Sequence, residues 1–159
     1  MEKIIDLHVH TTVSDGFFTP KEVIDTAAKN KVAVLAIADH DTIDAYTDEL
    51  FAYAKEKGVE LIPAVEISTK YNKRGMHVLG YNFDLNNQEF RAKLDMLKNA
   101  RHNYLYDVGG KLEALGYAVN VAELDKIEAV TKAHISLDVI GNPKNEKLLL
   151  ENFCHMPSK

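Results

Sequence analysis

Two histidines near the amino terminus, His8 and His10, flank one valine inside a run of strand-forming residues. Alternate residues of a β-strand point to the same face, so the two imidazoles are expected to lie side by side. Two imidazoles on one face can supply half of a transition-metal site. A pair of half-buried histidines bonded to the backbone fits the same pattern, so the pair needs further ligands before it indicates a metal.

Charged residues follow abruptly on the apolar run 32–38, in the order Asp39, His40 and Asp41. We expect His40 to be a metal ligand. Asp39 is a candidate for orienting an imidazole, and Asp41, with Thr42, is a candidate for capping the helix that follows. Both aspartates are also candidate catalytic residues that shuttle a proton.

Glu66 and His77 each interrupt an apolar segment, and Asp15 lies in a Ser-Asp-Gly loop. A carboxylate among apolar residues is costly unless it is paired or bound to a metal, and a carboxylate can bridge two cations. His77 is alternatively a core histidine, and Asp15 an ordinary turn residue. The predicted metal ligands are His8, His10, Asp15, His40, Glu66 and His77.

The chemistry of these ligands favours zinc, manganese or iron over magnesium or calcium, because imidazole and carboxylate groups are mixed. The sequence has no supported Ser-His-Asp triad and no glycine loop typical of phosphate binding. A metal-activated water is therefore the expected nucleophile.

The segments around these residues predict an α/β fold with the order β-α-β-α-β-β. Thr19 and Glu22 form a capping box around Pro20 at the first helical position. The continuous apolar run 32–38 is typical of a strand buried on both faces of a parallel sheet. Most candidate ligands then lie at the carboxyl ends of strands, where such folds bind ligands. The predicted strands are 3–9, 32–38, 59–67 and 76–81, with a turn at 73–75 and helices at about 20–30 and 43–57.

A change in character after residue 86 predicts a second, helical portion. We expect helices at 88–115, interrupted at Gly109 and Gly110, at 121–140 and at 145–153. The predicted domains are residues 1–85, which carry the ligands, and residues 86–159, which are helical.

Composition excludes several classes of function. The chain has 159 residues and a net charge of -5, so a globally basic nucleic-acid platform is not expected. Cys154 is the one cysteine, which rules out an intrachain disulfide, and no apolar run is long enough to span a membrane. A cytoplasmic location is the expectation.

Four motifs in sequence order resemble those of the polymerase and histidinol phosphatase (PHP) family: 6–11 followed by 14–16, then 38–42, 63–68 and 77–81. The resemblance implies part of a distorted seven-stranded β/α barrel that holds two to three divalent metals. It implies that His8, His10 and Glu66 hold one metal, that Glu66 bridges to a second metal bound by His77, and that Asp15 and His40 hold a third.

The resemblance also implies a substrate class, namely phosphate esters. The subgroup that looks nearest acts on nucleoside 3',5'-bisphosphates or on the 5' ends of short oligonucleotides. Its barrel carries a small inserted helical domain similar to residues 86–159, and the segment 132–135 is similar to an Arg-Pro-His motif there. His134 is therefore a candidate substrate-binding residue. Further candidate phosphate contacts are Arg101, Lys70, Lys73 and Arg74.

The chain departs from the family pattern by ending at Lys159, before the family's last ligands. A barrel of this kind needs about 250 residues. We expect the chain to be a fragment of a longer protein or a shortened member of the family. The barrel would then be completed by a homo-oligomer or by a missing C-terminal segment. Cys154 and His155 are not expected to replace those ligands, since a frayed terminus explains them.

Two other functions stay open at this point. One is a phosphatase for histidinol phosphate or another small phosphomonoester. The other is a non-catalytic module for metal binding or assembly.

Overall fold

The computed structural model describes residues 3–153. Cys154 and His155, where a frayed terminus is predicted, lie outside the described residues. The chain forms two compact units, the first ending at Lys98 and the second beginning at Asn99. The strands are β1 (Ile4–Val9), β2 (Val32–Ile37), β3 (Glu60–Tyr71) and β4 (Arg74–Tyr81). The helices are α1 (Pro20–Lys29), α2 (Asp48–Glu56), α3 (Gln88–Ala114), α4 (Val121–Leu124), α5 (Lys132–Gly141) and α6 (Glu146–Phe153), with a 3-10 turn at Pro143–Asn145.

The four strands of the first unit form one half-barrel sheet in the order β1-β2-β3-β4, as the predicted α/β class requires. β1, β2 and β3 are parallel, and β4 is antiparallel to β3. The hydroxyl of Tyr81 in β4 donates a hydrogen bond of 3.0 Å to the carbonyl of Leu7 in β1. A flat sheet would place these edge strands three spacings of about 4.8 Å apart. The sheet is therefore strongly curled.

Helices α1 and α2 cover one face of this sheet and bury its main core. Ile24 of α1 and Leu50 of α2 pack with Leu35, Ile37 and Val65 from the strands. Alternate strand residues face the other way, where a smaller cluster of alanines lies. The helices therefore hold the two central strands, whose ends carry the charged residues.

The boundaries of α2 and β3 differ from the prediction. α2 begins at Asp48 and is capped by Thr47, because residues 41–47 form turns in which Asp41 has a φ of 53°. β3 continues to Tyr71, and the turn to β4 lies at Asn72 and Lys73, both with positive φ. Positive φ at both central residues matches the twist of a tight hairpin. Glu66 therefore lies within a strand rather than at its end.

The second unit is helical, as predicted, but its helices break at other places. α3 runs through Gly109 without interruption, and a Cβ at this position would come within 2.6 Å of the Val121 side chain. The glycine allows close packing rather than ending the helix. The predicted helix 121–140 is divided into α4 and α5, and Thr131 caps the latter. Across the described residues, no helix is both long and apolar enough to cross a lipid bilayer.

Candidate metal centre

The end of β1 brings His8 and His10 to one side of Glu66. Their Nε2 atoms lie 2.9 Å and 3.1 Å from Oε2 of Glu66, and 3.2 Å from each other. Ligand atoms at 2.0–2.1 Å from a tetrahedral metal are separated by about 3.3–3.4 Å. The three donor atoms therefore have a spacing that fits one cation.

The loop after β1 folds back and places Asp15 beside two of the imidazoles. Gly16 makes this possible, because a Cβ there would lie 2.4 Å from the carbonyl oxygen of His10. Oδ1 of Asp15 lies 3.5 Å from Nδ1 of His10, and Oδ2 lies 3.6 Å from Nε2 of His40. The Ser-Asp-Gly sequence thus serves a sharp return of the backbone.

Asp39, which lies just beyond the end of β2, anchors that loop. Its carboxylate accepts hydrogen bonds from Thr11 N at 2.7 Å, from Thr11 Oγ1 at 2.7 Å and from Ser14 Oγ at 2.6 Å. Burial raises the pKa of Asp39, and the hydrogen bonds from Ser14 and Thr11 offset this only in part. All three side chains are buried, so the contact ties the end of β2 to the loop that carries Asp15.

Asp41 binds the backbone of β3. Its Oδ1 accepts a hydrogen bond of 2.7 Å from Ser68 N, and its own N–H donates to the carbonyl of Glu66 at 3.0 Å. The N–H of Glu66 in turn donates to the carbonyl of Asp39 at 3.1 Å. The expectation that Asp41 caps the next helix is wrong, since Thr47 caps α2. Asp41 instead holds the strand that presents Glu66.

Glu66 occupies the middle of the cluster and turns its two oxygens to different partners. Oε1 lies 2.8 Å from Nδ1 of His77, while Oε2 also faces Nδ1 of His40 at 3.7 Å. Burial acts to raise the pKa of Glu66, but the hydrogen bond from His8 and the neighbouring imidazoles outweigh it and hold the pKa below its usual value. The carboxylate is therefore ionised at neutral pH.

The structure brings all six predicted ligands together as three overlapping groups whose donor atoms lie within 4.8 Å of one another. Nδ1 of His10 is buried and makes no hydrogen bond. A buried, unbonded imidazole nitrogen is costly, and a cation would satisfy it. The donor set therefore fits divalent metals. The groups are His8, His10 and Glu66; His10, Asp15 and His40; and His40, Glu66 and His77.

The candidate phosphate contacts belong to other segments of the chain. Arg101 and His134 belong to the second unit, where Arg101 Nη1 donates to the carbonyl of Val130 at 3.2 Å. Nδ1 of His134 accepts a hydrogen bond of 3.0 Å from Thr131 N. Lys70, Lys73 and Arg74 lie around the turn between β3 and β4.

Sequence reasoning overlooked three residues that support the cluster. Thr11 and Ser14 lie in the first motif, where buried hydroxyls beside a turn could have indicated a hydrogen-bonded anchor. Tyr46 bonds to both central strands, but it lies in a segment predicted to be helical, and no pattern in the sequence indicates its contacts.

The amino-acid sequence is similar to a protein family and to several known proteins. The model of the PHP domain matches residues 6–152. A 5'-3' exoribonuclease from Haemophilus influenzae is 42% identical over 150 residues, which cover 92% of this chain and 54% of that protein. A 3',5'-nucleoside bisphosphate phosphatase from Chromobacterium violaceum is 36% identical over 114 residues, which cover 72% of this chain and 40% of that protein. The chain thus spans about half the length of these curated relatives.

A solved structure has the same fold. It is an amidohydrolase from Chromobacterium violaceum with bound sulfate, with a TM-score of 0.79 and 28% sequence identity. The match covers 98% of this chain and 56% of that one.

Proposed function

The chain belongs to the PHP domain family, and on this premise we propose that it is a metal-dependent phosphoesterase for nucleotides or short oligonucleotides. The observation that carries the proposal is the convergence of four imidazoles and two carboxylates on one centre. The names of the two curated relatives, an exoribonuclease and a nucleoside bisphosphate phosphatase, support a nucleotide-containing substrate.

We propose the ligand arrangement that the family resemblance implies. His8, His10 and Glu66 hold one cation, Glu66 and His77 a second, and Asp15 and His40 a third. Manganese, iron and zinc are the candidate ions. Bound there, divalent cations would polarise the phosphate ester and lower the pKa of an attacking water.

The residues around the ligands have positioning roles in this proposal. Asp39 orients the loop of Asp15, because its carboxylate already receives three hydrogen bonds. Asp41 holds Ser68 N, two residues beyond Glu66. Of the two roles expected for these aspartates, orientation of ligands is therefore favoured over proton transfer.

Arg101 and His134 are the proposed phosphate contacts. Because Thr131 N–H donates to Nδ1 of His134, a neutral imidazole carries its proton on Nε2. That nitrogen then acts as a hydrogen-bond donor toward a phosphate oxygen. Arg101 would contribute a permanent positive charge.

We propose that residues 1–85 form the part of the barrel that carries the ligands and that residues 86–159 form an inserted helical subdomain. A further segment or a second copy of the chain completes the barrel. The cytoplasm is the proposed location.

The function is tested on three substrates after loading with Mn²⁺, Fe²⁺ or Zn²⁺. Phosphate release is measured from a nucleoside 3',5'-bisphosphate and from histidinol phosphate, and release of 5'-mononucleotides is measured from a short RNA with a 5' phosphate. We expect metal-dependent hydrolysis of the bisphosphate or of the RNA. Preference for histidinol phosphate would indicate the small-phosphomonoester alternative, and metal binding without hydrolysis would indicate a non-catalytic module.

A further inference from the structure

The hydroxyl of Tyr46 lies between the two central strands of the sheet. The residue is 7% exposed, and its oxygen is 3.0 Å from Ile37 N, 2.6 Å from Ile37 O, 2.9 Å from Ile62 O and 2.9 Å from Ala64 N. Ile37 belongs to β2, and the other two residues belong to β3. One side-chain oxygen thus contacts two backbone donors and two backbone acceptors on neighbouring strands.

These four groups are the ones that a parallel ladder would join directly. Ile37 pairs with Pro63, and such a pair links Ile37 N to Ile62 O and Ala64 N to Ile37 O. An oxygen within 3.0 Å of all four groups lies against this pair of the ladder. The hydroxyl therefore takes part in the pairing of β2 with β3 as a side-chain bridge.

The next contact along these strands is the metal cluster. His40 and Glu66 form a parallel bridge, in which Asp41 N donates to Glu66 O and Glu66 N donates to Asp39 O. Both Ile37–Pro63 and His40–Glu66 have the same offset of 26 residues, so the register continues past the hydroxyl. The spacing of the strands at Tyr46 thus leads directly to the spacing of two ligands.

The ring of Tyr46 packs in the main core, against α2. It stacks on Phe51 of α2 with a centroid distance of 5.7 Å and an angle of 26°. Leu50, also on α2, belongs to the same core. Burial raises the pKa of the Tyr46 hydroxyl, so it stays protonated and donates to a carbonyl of one strand while accepting from the amides of both.

We propose that Tyr46 is a positioning residue of the metal centre, whose hydroxyl sets the distance between β2 and β3 and so aligns His40 with Glu66. The inference rests on the proposed function for the identity of the ligands. Tyr46 lies outside the four motifs, and the four hydrogen bonds of its hydroxyl are all to backbone groups rather than to ligand side chains.

The test is Tyr46→Phe, which removes one oxygen and keeps the ring. The four backbone groups belong to the Ile37–Pro63 pair and keep one another as partners, so the variant is expected to fold. Affinity for Mn²⁺ and Zn²⁺ is measured by competition with a chromophoric chelator. We expect a loss of about 10–100-fold, as is typical when a residue that orients metal ligands is removed. Amide hydrogen exchange at Asp41 and Glu66 should be about tenfold or more faster than in the original chain, while the exchange rate at Leu61 stays the same.

Two control variants separate positioning from general loss of stability. Tyr53→Phe removes a hydroxyl from α2, the helix that follows Tyr46, and this hydroxyl bonds to Asp25 at 2.8 Å. Leu50→Ala weakens the same core without touching the ladder. Both are expected to keep the metal affinity of the original chain at a temperature where all variants are folded.

Unchanged metal affinity and unchanged exchange in Tyr46→Phe would overturn the inference, as would an equal loss of affinity in Leu50→Ala. Neither measurement requires turnover. If the original chain binds metal but hydrolyses no phosphate ester, the proposed function fails and the role of Tyr46 is still decided by the variants.

Discussion

The carboxylate of Glu66 faces His77 through one oxygen, with Oε1 at 2.8 Å from Nδ1, and turns its other oxygen toward the remaining imidazoles. Residue 66 has neighbours on both sides of β3, since it pairs with Leu79 of β4 and forms a parallel bridge with His40 beyond the end of β2. This central position lets one side chain meet ligands from three other strands or their ends. Glu66 is thus well placed to bridge two cations.

Replacing Glu66 with glutamine should remove this bridge. We expect Glu66→Gln to lose at least one equivalent of bound metal, because a neutral amide is a much weaker ligand for a divalent cation than a carboxylate. Glu60→Gln is the matched control, since Glu60 is exposed at the other end of the same strand. Elemental analysis of dialysed protein measures the result. Equal metal content in both variants would show that Glu66 binds no metal.

Removing the Asp39 carboxylate should destabilise the first unit. In Asp39→Ala, the donors of Thr11 and Ser14 lose their acceptor in a buried site, and we expect a loss of about 3 kcal/mol or more in the free energy of unfolding. Asp39→Asn should cost less than about 1 kcal/mol, because the amide oxygen still accepts and Thr11 Oγ1 can turn to accept from the amide nitrogen. Urea unfolding compares the two. A similar loss in both variants would mean that the charge, not the hydrogen bonding, matters.

Asn145 should be essential to the second unit. Its side chain is fully buried, accepts from Ala118 N at 2.6 Å, and donates to the carbonyls of Ala118 and Val139 at 2.8 Å and 2.9 Å. Asn145→Asp would bring an acceptor against two carbonyl oxygens, so we expect a loss of about 3 kcal/mol or more.

Asn152→Asp provides the control for that change, because the amide of Asn152 is exposed and donates only to the hydroxyl of Tyr117 among the recorded bonds. We expect its thermal midpoint to stay within a few degrees of the original. If both asparagine variants unfold alike, the buried bonds of Asn145 do not determine stability.

Stability should fall in acid partly because of Asp125. Hydrogen bonds from Tyr106 and His102 hold the pKa of Asp125 below its usual value. A carboxyl with a lowered pKa contributes stability at pH values above the unfolded value of about 3.9, and this contribution is lost as the pH falls through the folded value. The predicted window is therefore below about pH 4.

The measurement is the urea midpoint between pH 7 and pH 3 in Asp125→Asn, with Glu113→Gln as a control at an exposed site. Asp125→Asn should be less stable at pH 7 and should depend less on pH in the acid range. High salt should reduce the difference, since the contact is near the surface. An unchanged acid response in Asp125→Asn would assign the effect to other carboxyls.

Much of the first unit could be predicted because its signals are local. The capping box at Thr19 and Glu22 marks the start of α1 where the structure has it, and the apolar run 32–38 contains β2. The six candidate ligands can all be named from the sequence, because five of them interrupt or end apolar strands, where a polar group is costly without a partner, and Asp15 follows the first of these strands in the same motif. Their role as metal ligands stays a prediction, whereas their convergence is observed.

Boundaries that depend on distant contacts could not be predicted. The sequence at 43–47 has helical character, yet α2 starts only at Asp48. The hydroxyl of Tyr46 instead bonds to carbonyls of both β2 and β3. Gly109 resembles a helix break, yet it faces Val121 closely enough to exclude a Cβ. In both cases a tertiary contact outweighs a local preference.

Residue types and their spacing were therefore sufficient for the α/β class and the set of candidate ligands, since these follow from local periodicity and from the cost of burying charge, and the resemblance of four motifs indicated the family. The orientation of those ligands was not accessible in this way. The anchoring of the loop by Asp39, the hold of Asp41 on Ser68, and the hydroxyl of Tyr46 between the strands each join residues far apart in sequence. Such contacts exist only once the sheet has curled and the strands lie side by side.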